Sequence, residues 1–116
     1  MTKPLVSVVM PAYRCRHTIC AAVDSVLAQN VPLELLIIDD CSGEDLNEVL
    51  ATYRDDPRVR IYHNEQNLGA AQSRNRGVSL AEGRMIDLKT GTHHVGCIVR
   101  ADNEIGIAGL AYFALL

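Results

Sequence analysis

The chain has 116 residues, room for one small domain, and its 48% hydrophobic and 22% charged residues form an ordinary globular mix that excludes collagen-like, low-complexity and disordered classes. The net charge is −3 and no basic block is present, which argues against sequence-independent nucleic-acid binding, so no nucleic-acid partner is expected. A chain of this length buries roughly two thirds of its unfolded surface, and with no Trp and one Phe its core must be built from Val, Ile, Leu and Ala.

In chain order, Leu5-Val-Ser-Val-Val-Met10 is a short apolar run ending at Pro11 and reads as a buried strand. Ile19, Ala22, Val23, Val26 and Leu27 recur at the spacing of one helix face, with Thr18 as the N-cap and Pro32 stopping the helix. Leu33-Glu-Leu-Leu-Ile-Ile38 is the second strand, running straight into Asp39-Asp-Cys-Ser-Gly43. Leu46, Val49, Leu50 and Tyr53 share a face of a second helix, and Ser42 and Asp45, three apart, come close to a capping box. Asp55-Asp-Pro57 is a turn, and Arg58 to His63 alternates as a strand covered on one side, with Val59 and Ile61 inward. Asn64 to Gly69 is a loop, Ala70 to Glu82 a third helix with Gly83 at its C′ position, and Arg84 to Leu88 opens a fourth strand. Alternating strands and helices, with connections too long for hairpins, make a parallel sheet with helices on its faces and right-handed crossovers.

Residues 89–116 differ in kind. Thr90-Gly-Thr92 carries little pattern, and the adjacent His93-His94 lacks the i+4 partner of a metal site. Ile105 to Leu116 is almost wholly apolar and has no polar face. The expected organisation is therefore 1–88 as an organised α/β unit and 89–116 as a divergent C-terminal tail without an assigned structure. An exposed apolar end of that kind favours self-association. Cys15, Cys20, Cys41 and Cys97 form no CxxC pair, and Met-Thr-Lys-Pro opens no secretory signal. The expectation is free thiols in a reducing, cytoplasmic setting, with association with the cytoplasmic face of a membrane left open.

Ligands of open parallel sheets bind beyond the carboxyl ends of the strands. Three loops qualify: residues 11–16, 39–43 and 64–69. GxGxxG and the P-loop motif are both absent, so a nucleotide site here must use side chains rather than a glycine cradle. Asp39 and Asp40 follow the second strand with side chains on opposite sides. One can accept hydrogen bonds from a ribose or a base while the other supports the loop; alternatively both cap the helix that begins near Gly43. Tyr13 is placed to stack on a base or simply to pack. Of Arg74 and Arg76, two apart on a helix, one can reach a phosphate while the other faces solvent.

Val6-Ser-Val-Val-Met-Pro-Ala-Tyr13, Ser25-Val-Leu-Ala-Gln29, Glu34-Leu-Leu-Ile-Ile-Asp-Asp-Cys-Ser42, Asn67-Leu-Gly69 and Ser73-Arg-Asn-Arg-Gly77 together resemble the opening of a family 2 glycosyltransferase of the GT-A fold, over about residues 4–86. The resemblance implies an α/β Rossmann-like three-layer sandwich with a mostly parallel sheet, a partial GT-A fold. It implies an inverting, hexosyl-transferring enzyme that moves a sugar from a nucleotide diphosphate, a UDP-sugar first of all, to an acceptor hydroxyl. By the same resemblance Pro11, Ala12 and Tyr13 line the base pocket, Asp40 contacts the base with Asp39 and Ser42 beside it, Asn67 and Gly69 lie near the nucleotide, and Arg74 is the basic position of the Ala-Arg-Asn segment. Three departures are mild: Arg14 stands where Asn is usual, Cys41 where Gly or Asn is common, and Ser73 where Ala is usual.

One departure is severe. The family continues into an Asp-x-Asp motif that, with Mg²⁺ or Mn²⁺, neutralises the departing diphosphate. Counting on from Gly83, its positions fall near Thr90 and Thr92, which offer no carboxylate. No catalytic residue is therefore assigned, and the metal site of intact relatives is expected to be missing. The expected reading is a donor-binding half that is truncated or frameshifted after about residue 86 and incomplete for catalysis, against a non-catalytic nucleotide-binding module or an inactive fragment. The frameshift reading makes a checkable prediction. The coding DNA beyond the codon for Ile86, read in another frame, should encode an apolar strand followed by Asp-x-Asp; if no frame does, the frameshift is excluded.

Overall fold

The computed structural model describes residues 4–90, 93–101 and 104–106. Its strands are β1 (Val6–Ala12), β2 (Leu33–Asp39), β3 (Val59–His63), β4 (Met85–Thr90), β5 (His93–Ala101) and β6 (Glu104–Gly106). Its helices are α1 (Ile19–Leu27), the single turn α2 (Leu46–Val49) continued by a 3-10 turn at Ala51–Tyr53, and α3 (Ala70–Leu80). The sheet order is β3-β2-β1-β4-β5-β6. β3, β2, β1 and β4 run parallel, and β5 and β6 are added antiparallel.

The central strands are apolar on both faces because both faces are covered. Val6, Val8, Met10 and Ala12 of β1 join Leu33, Leu35 and Ile37 of β2 under α1 and Leu46 and Leu50. The intervening Val9, Leu36 and Ile38 pack on the other face with Val78, Ala81 and Ile86, on the side of α3. Thus α1 and α2 cover one face and α3 the other, the three-layer α/β sandwich expected. β4 pairs with Val6 to Val9 only, so Pro11, which has no N–H to give, lies beyond the end of that ladder.

Several local expectations are corrected. α3 ends at Leu80 rather than Glu82, because Ala81 turns extended at φ −69 and ψ 138. Gly83 is not a left-handed C′ residue. A Cβ there would sit 2.6 Å from Ser7 Oγ and 2.7 Å from Ser7 N, so close approach to β1 selects glycine. The Gly83 N–H donates to Ser7 Oγ at 2.7 Å, and the Ser7 hydroxyl donates to Glu34 Oε2 at 2.9 Å. Glu34 Oε2 also accepts from the Glu82 N–H at 2.9 Å, so a buried carboxylate fastens the exit of α3 to β1 and β2. Asp45 caps α2 by accepting from the Glu48 N–H at 3.2 Å, while Ser42 is engaged elsewhere. Thr18 precedes α1 without a side-chain cap bond.

β5 and β6 place residues 93–101 and 104–106 in the sheet, where no element was expected. β5 pairs with β4 from Thr90↔His93 to Met85↔Val99, with an irregularity at Leu88/Lys89. Most of the apolar end from Ile105 to Leu116, and the self-association expected of it, lies outside the described residues.

Gly77 sets how closely α3 lies on the sheet. A Cβ at this position would meet Val9 Cγ1 at 2.3 Å, and Val9 is fully buried. Overpacking of this kind costs about 1–3 kcal/mol, more than the ~1 kcal/mol that Gly→Ala returns in helix propensity. Gly77→Ala is therefore expected to lower stability in urea denaturation, and Val9→Ala in the same chain to recover part of that loss. A Gly77→Ala chain as stable as the parent would show that α3 can move away freely.

Candidate functional site

Register builds the site. Ala12 pairs with Asp39, and Asp39 with His63, so β1, β2 and β3 end in one row. The next residues, Tyr13, Asp40 and Asn64, are the first beyond the sheet's carboxyl edge. The ladder carries one step further: the Asp40 N–H donates to Ala12 O at 2.9 Å, and the Asn64 N–H to Asp39 O at 2.8 Å.

Asp40 is 3% exposed and its carboxylate is engaged within the protein. Oδ1 accepts from the Leu68 N–H at 2.7 Å and from Asn64 Nδ2 at 2.9 Å; Oδ2 accepts from the Gly69 N–H at 2.8 Å. Asn67 Nδ2 donates to the Asp40 carbonyl at 3.2 Å. Burial pushes this carboxyl up, but the donors at Leu68, Asn64, Gly69 and Ser73 outweigh it and hold the group below the ordinary aspartate range. Gly69 adopts φ +87 to turn its N–H onto Asp40, a conformation that favours glycine.

Asp39, also buried, serves its own loop. Oδ1 accepts from the Ser42 hydroxyl at 2.9 Å and the Ser42 N–H at 3.3 Å, and Oδ2 meets His63 Nδ1 at 2.9 Å. Neither aspartate caps α2, which takes Asp45. Both carboxylates therefore order the loops after β2 and β3 first, and any ligand must use what remains of their lone pairs.

Of the other expected site residues, Pro11 is half-buried and Ala12 lies in the core under α1, so Ala12 reaches the edge through its carbonyl alone. Tyr13 is 46% exposed, and the Arg14 guanidinium lies 5.1 Å from its ring centroid. Ser42 is half-buried and Asn67 exposed. Arg74 is half-buried on the first turns of α3.

Sequence reasoning missed Asn64 and His63, took Ser73 only as a departure from the family pattern, and left Arg76 as either a phosphate contact or a solvent-facing residue. Asn64 Nδ2 donates to both Asp40 Oδ1 and Ser73 Oγ at 2.9 Å, while its Oδ1 accepts from Arg76 Nη1 at 2.7 Å. Arg76 Nη1 also reaches the His63 carbonyl at 2.9 Å. Arg76 is thus a brace between α3 and β3 rather than a solvated cation. The available signal was positional: Asn64 follows β3 as Asp40 follows β2. A cleft of about 580 Å³ lined by His63, Asn64, Glu65, Gln66, Leu68 and Arg76 lies beside this network.

Among the described residues, the non-glycine ones with left-handed backbone are Arg14 (φ 49) and Cys41 (φ 55), each just beyond a strand end at this edge. These are two of the three positions where the chain departs mildly from the family pattern, whose usual Asn or Gly tolerates this conformation at less cost.

Among the described residues, none fit a divalent cation. Thr90 and Thr92 stand where a carboxylate pair is expected, and among the described residues no three His, Cys, Asp or Glu side chains come together to hold a metal.

The Asp40 network predicts a pH signature. A carboxyl held below its ordinary value stabilises the fold fully above the unfolded pKa, about 3.9, and that contribution is lost as pH falls through the folded value. Asp40→Asn is expected to cost about 1.5–3 kcal/mol at pH 7. The gap between parent and variant in denaturant midpoint should close as pH drops below about 4. A gap independent of pH would mean that the Asp40 charge is not what holds the loop.

Comparison with known proteins agrees with this architecture. The family described as "Glycosyl transferase family 2" matches residues 7–87. TuaG of Bacillus subtilis (strain 168), by name a teichuronic acid biosynthesis glycosyltransferase, is 42% identical over 86 residues, covering 72% of this chain and 34% of TuaG. The match thus spans about a third of that relative's length. The structure of S. aureus TarS 1-349 in complex with UDP-GlcNAc superposes with a TM-score of 0.69 at 25% identity, over 78% of this chain and 27% of TarS 1-349. The mannosyltransferase PcManGT from Pyrobaculum calidifontis, in complex with GDP-Man and Mn²⁺, shares the fold, with a TM-score of 0.69 at 20% identity over 79% of this chain and 28% of PcManGT. The chain belongs to glycosyltransferase family 2 and carries part of its GT-A fold.

Proposed function

We propose that residues 4–90 form the donor-binding part of a glycosyltransferase and take the nucleoside diphosphate of an activated sugar, UDP-linked first of all. The observation that carries this reading is the single row of strand ends, with the loops at 40–43 and 64–69 drawn together by Asp40 while Tyr13 stays exposed beside them. An aromatic ring beside ordered backbone is what a base needs to stack, and UDP-GlcNAc in TarS lends the ligand class its support.

Pro11, Ala12, Asp39, Asp40, Ser42, Asn67 and Gly69 shape the pocket in this reading, Tyr13 meets the base, and Arg74 serves the phosphate side. Asp40 acts chiefly through the loop it holds. Transfer also needs stabilisation of charge on the leaving diphosphate and a base for the acceptor hydroxyl. Thr90 and Thr92 carry no charge to supply the first, so a chain that binds donor without transferring sugar is the second half of the proposal. No helix among the described residues is long and apolar enough to cross a membrane. A cytoplasmic place, in association with the cytoplasmic face of a membrane, fits this reading.

Calorimetry with UDP and UDP-sugars tests it. The parent should bind, and Tyr13→Ala should weaken binding roughly 5- to 150-fold, the range for loss of one base–aromatic stack, without changing stability. No binding, or equal binding by Tyr13→Ala, overturns the assignment. With Mg²⁺ or Mn²⁺ present, UDP release should stay at the blank; release abolished by Asp40→Ala would overturn the non-transferring half.

A further inference from the structure

We propose that Arg14 is a second diphosphate-facing cation of this donor site, in addition to Arg74. The inference rests on the donor-site reading and adds to it a residue that the family pattern does not supply. Three observations carry it. Arg14 is exposed at the carboxyl edge of β1 and held at φ 49, a conformation unfavourable for a residue with a Cβ. Strain of this kind concentrates at functional sites, because the surrounding structure must over-determine it. Its guanidinium lies 5.1 Å from the Tyr13 centroid, over the ring on which a base would stack.

The electrostatics call for such a cation. Asp39 ends β2, and Asp40, Glu44 and Glu65 lie in the loops at this edge, so an incoming diphosphate meets carboxylates. Hydrogen bonds compensate Asp40 locally, but they add no positive charge. Among the described residues none fit a divalent cation, so positive charge must come from side chains. Arg14 covers one face of Tyr13. A base that takes the other face leaves the guanidinium in place, and a base that takes the same face displaces it. In both cases the guanidinium remains tethered next to the base, within side-chain reach of the diphosphate carried on the ribose. A planar guanidinium can pair two phosphate oxygens at once. Asn at this position would relieve the backbone and remove the charge, so the departure from Asn exchanges backbone comfort for a cation.

The test is calorimetry on the full chain in chelator, with UDP against uridine and GDP against guanosine. In at least one pair the parent should bind the diphosphate more tightly than the nucleoside, with an advantage that shrinks as salt rises. Arg14→Asn and Arg14→Gln should each lose about 10- to 150-fold in diphosphate affinity, as expected for one charge-assisted contact, while nucleoside binding is unchanged or slightly tighter. Arg14→Asn should be at least as resistant to urea as the parent, which separates the effect from misfolding. Diphosphate affinity unaltered in both variants, or binding that appears only on adding Mg²⁺, overturns the role of Arg14 and leaves the donor site standing. No binding of any of the four ligands by the parent overturns the donor-site reading, and this role with it.

Discussion

A buried charge must be solvated by the protein, and the carboxylate of Asp40 imposes that requirement on everything around it. It stands one residue beyond the sheet, 3% exposed, with no cation against it among the hydrogen bonds found. Dipoles do the work instead: two backbone N–H groups from the loop after β3 and the amide of Asn64. This fixes the path of residues 64–69, and with it the start of α3, because Gly69 both donates to Asp40 and accepts from the Ser73 N–H at 3.1 Å. Asn64 passes the constraint on, holding Asp40 with one end of its amide and Arg76 of α3 with the other. A single carboxylate thereby links β2, the end of β3 and α3.

The opposite end of the sheet is held by the same kind of device. Glu34 opens β2 as Asp40 follows it, and accepts from Ser7 of β1 and from the backbone just after α3. Between these polar fastenings β1 and β2 are apolar from Val8 to Met10 and from Leu35 to Ile38, and α3 lies against β1 so closely that residue 77 has no room for a Cβ. α3 is thus fixed at its entry, its middle and its exit. Loops at the carboxyl edge can be positioned only as well as the elements that carry them.

How far the sequence spoke depended on the range of the interaction. β1, β2, α1, β3, α3 and β4 were legible because their patterns are local: apolar runs, helical spacing, alternation. Helix ends were less so. Gly83 has the local look of a C-cap, but its smallness answers to Ser7, 76 residues away. α2 shrank to one turn, with Tyr53 of the following 3-10 turn donating to Asp24 of α1 instead of continuing the helix. β5 runs through Val95-Gly-Cys-Ile-Val99, which has no alternation, and its strand character comes from pairing with β4. At the site, Asp39 and Asp40 stood out by position, whereas Asn64 did not, because an asparagine at a loop entry is ordinary until three elements converge on it.

Stability and recognition are divided along the strand axis. Buried polar groups at the carboxyl edge are spent on order, and the groups left for a ligand are the less comfortable ones. Tyr13 keeps 46% of its surface in solvent, and Arg14 and Cys41 hold backbone conformations that asparagine or glycine would adopt at less cost. A left-handed residue with a Cβ loses stability of the order of 1 kcal/mol or more, which a fold fastened at Asp40, Gly77 and Glu34 can absorb. The two strained residues project from the loops after β1 and β2, while the loop after β3 meets its own left-handed requirement with Gly69. The β3 loop is therefore built to fit Asp40, and the β1 and β2 loops retain side chains where the backbone alone would prefer none. In a parallel sheet whose ligands approach this edge, that asymmetry points recognition to the side of Tyr13, Arg14 and Cys41 and support to the side of Asn64 and Gly69.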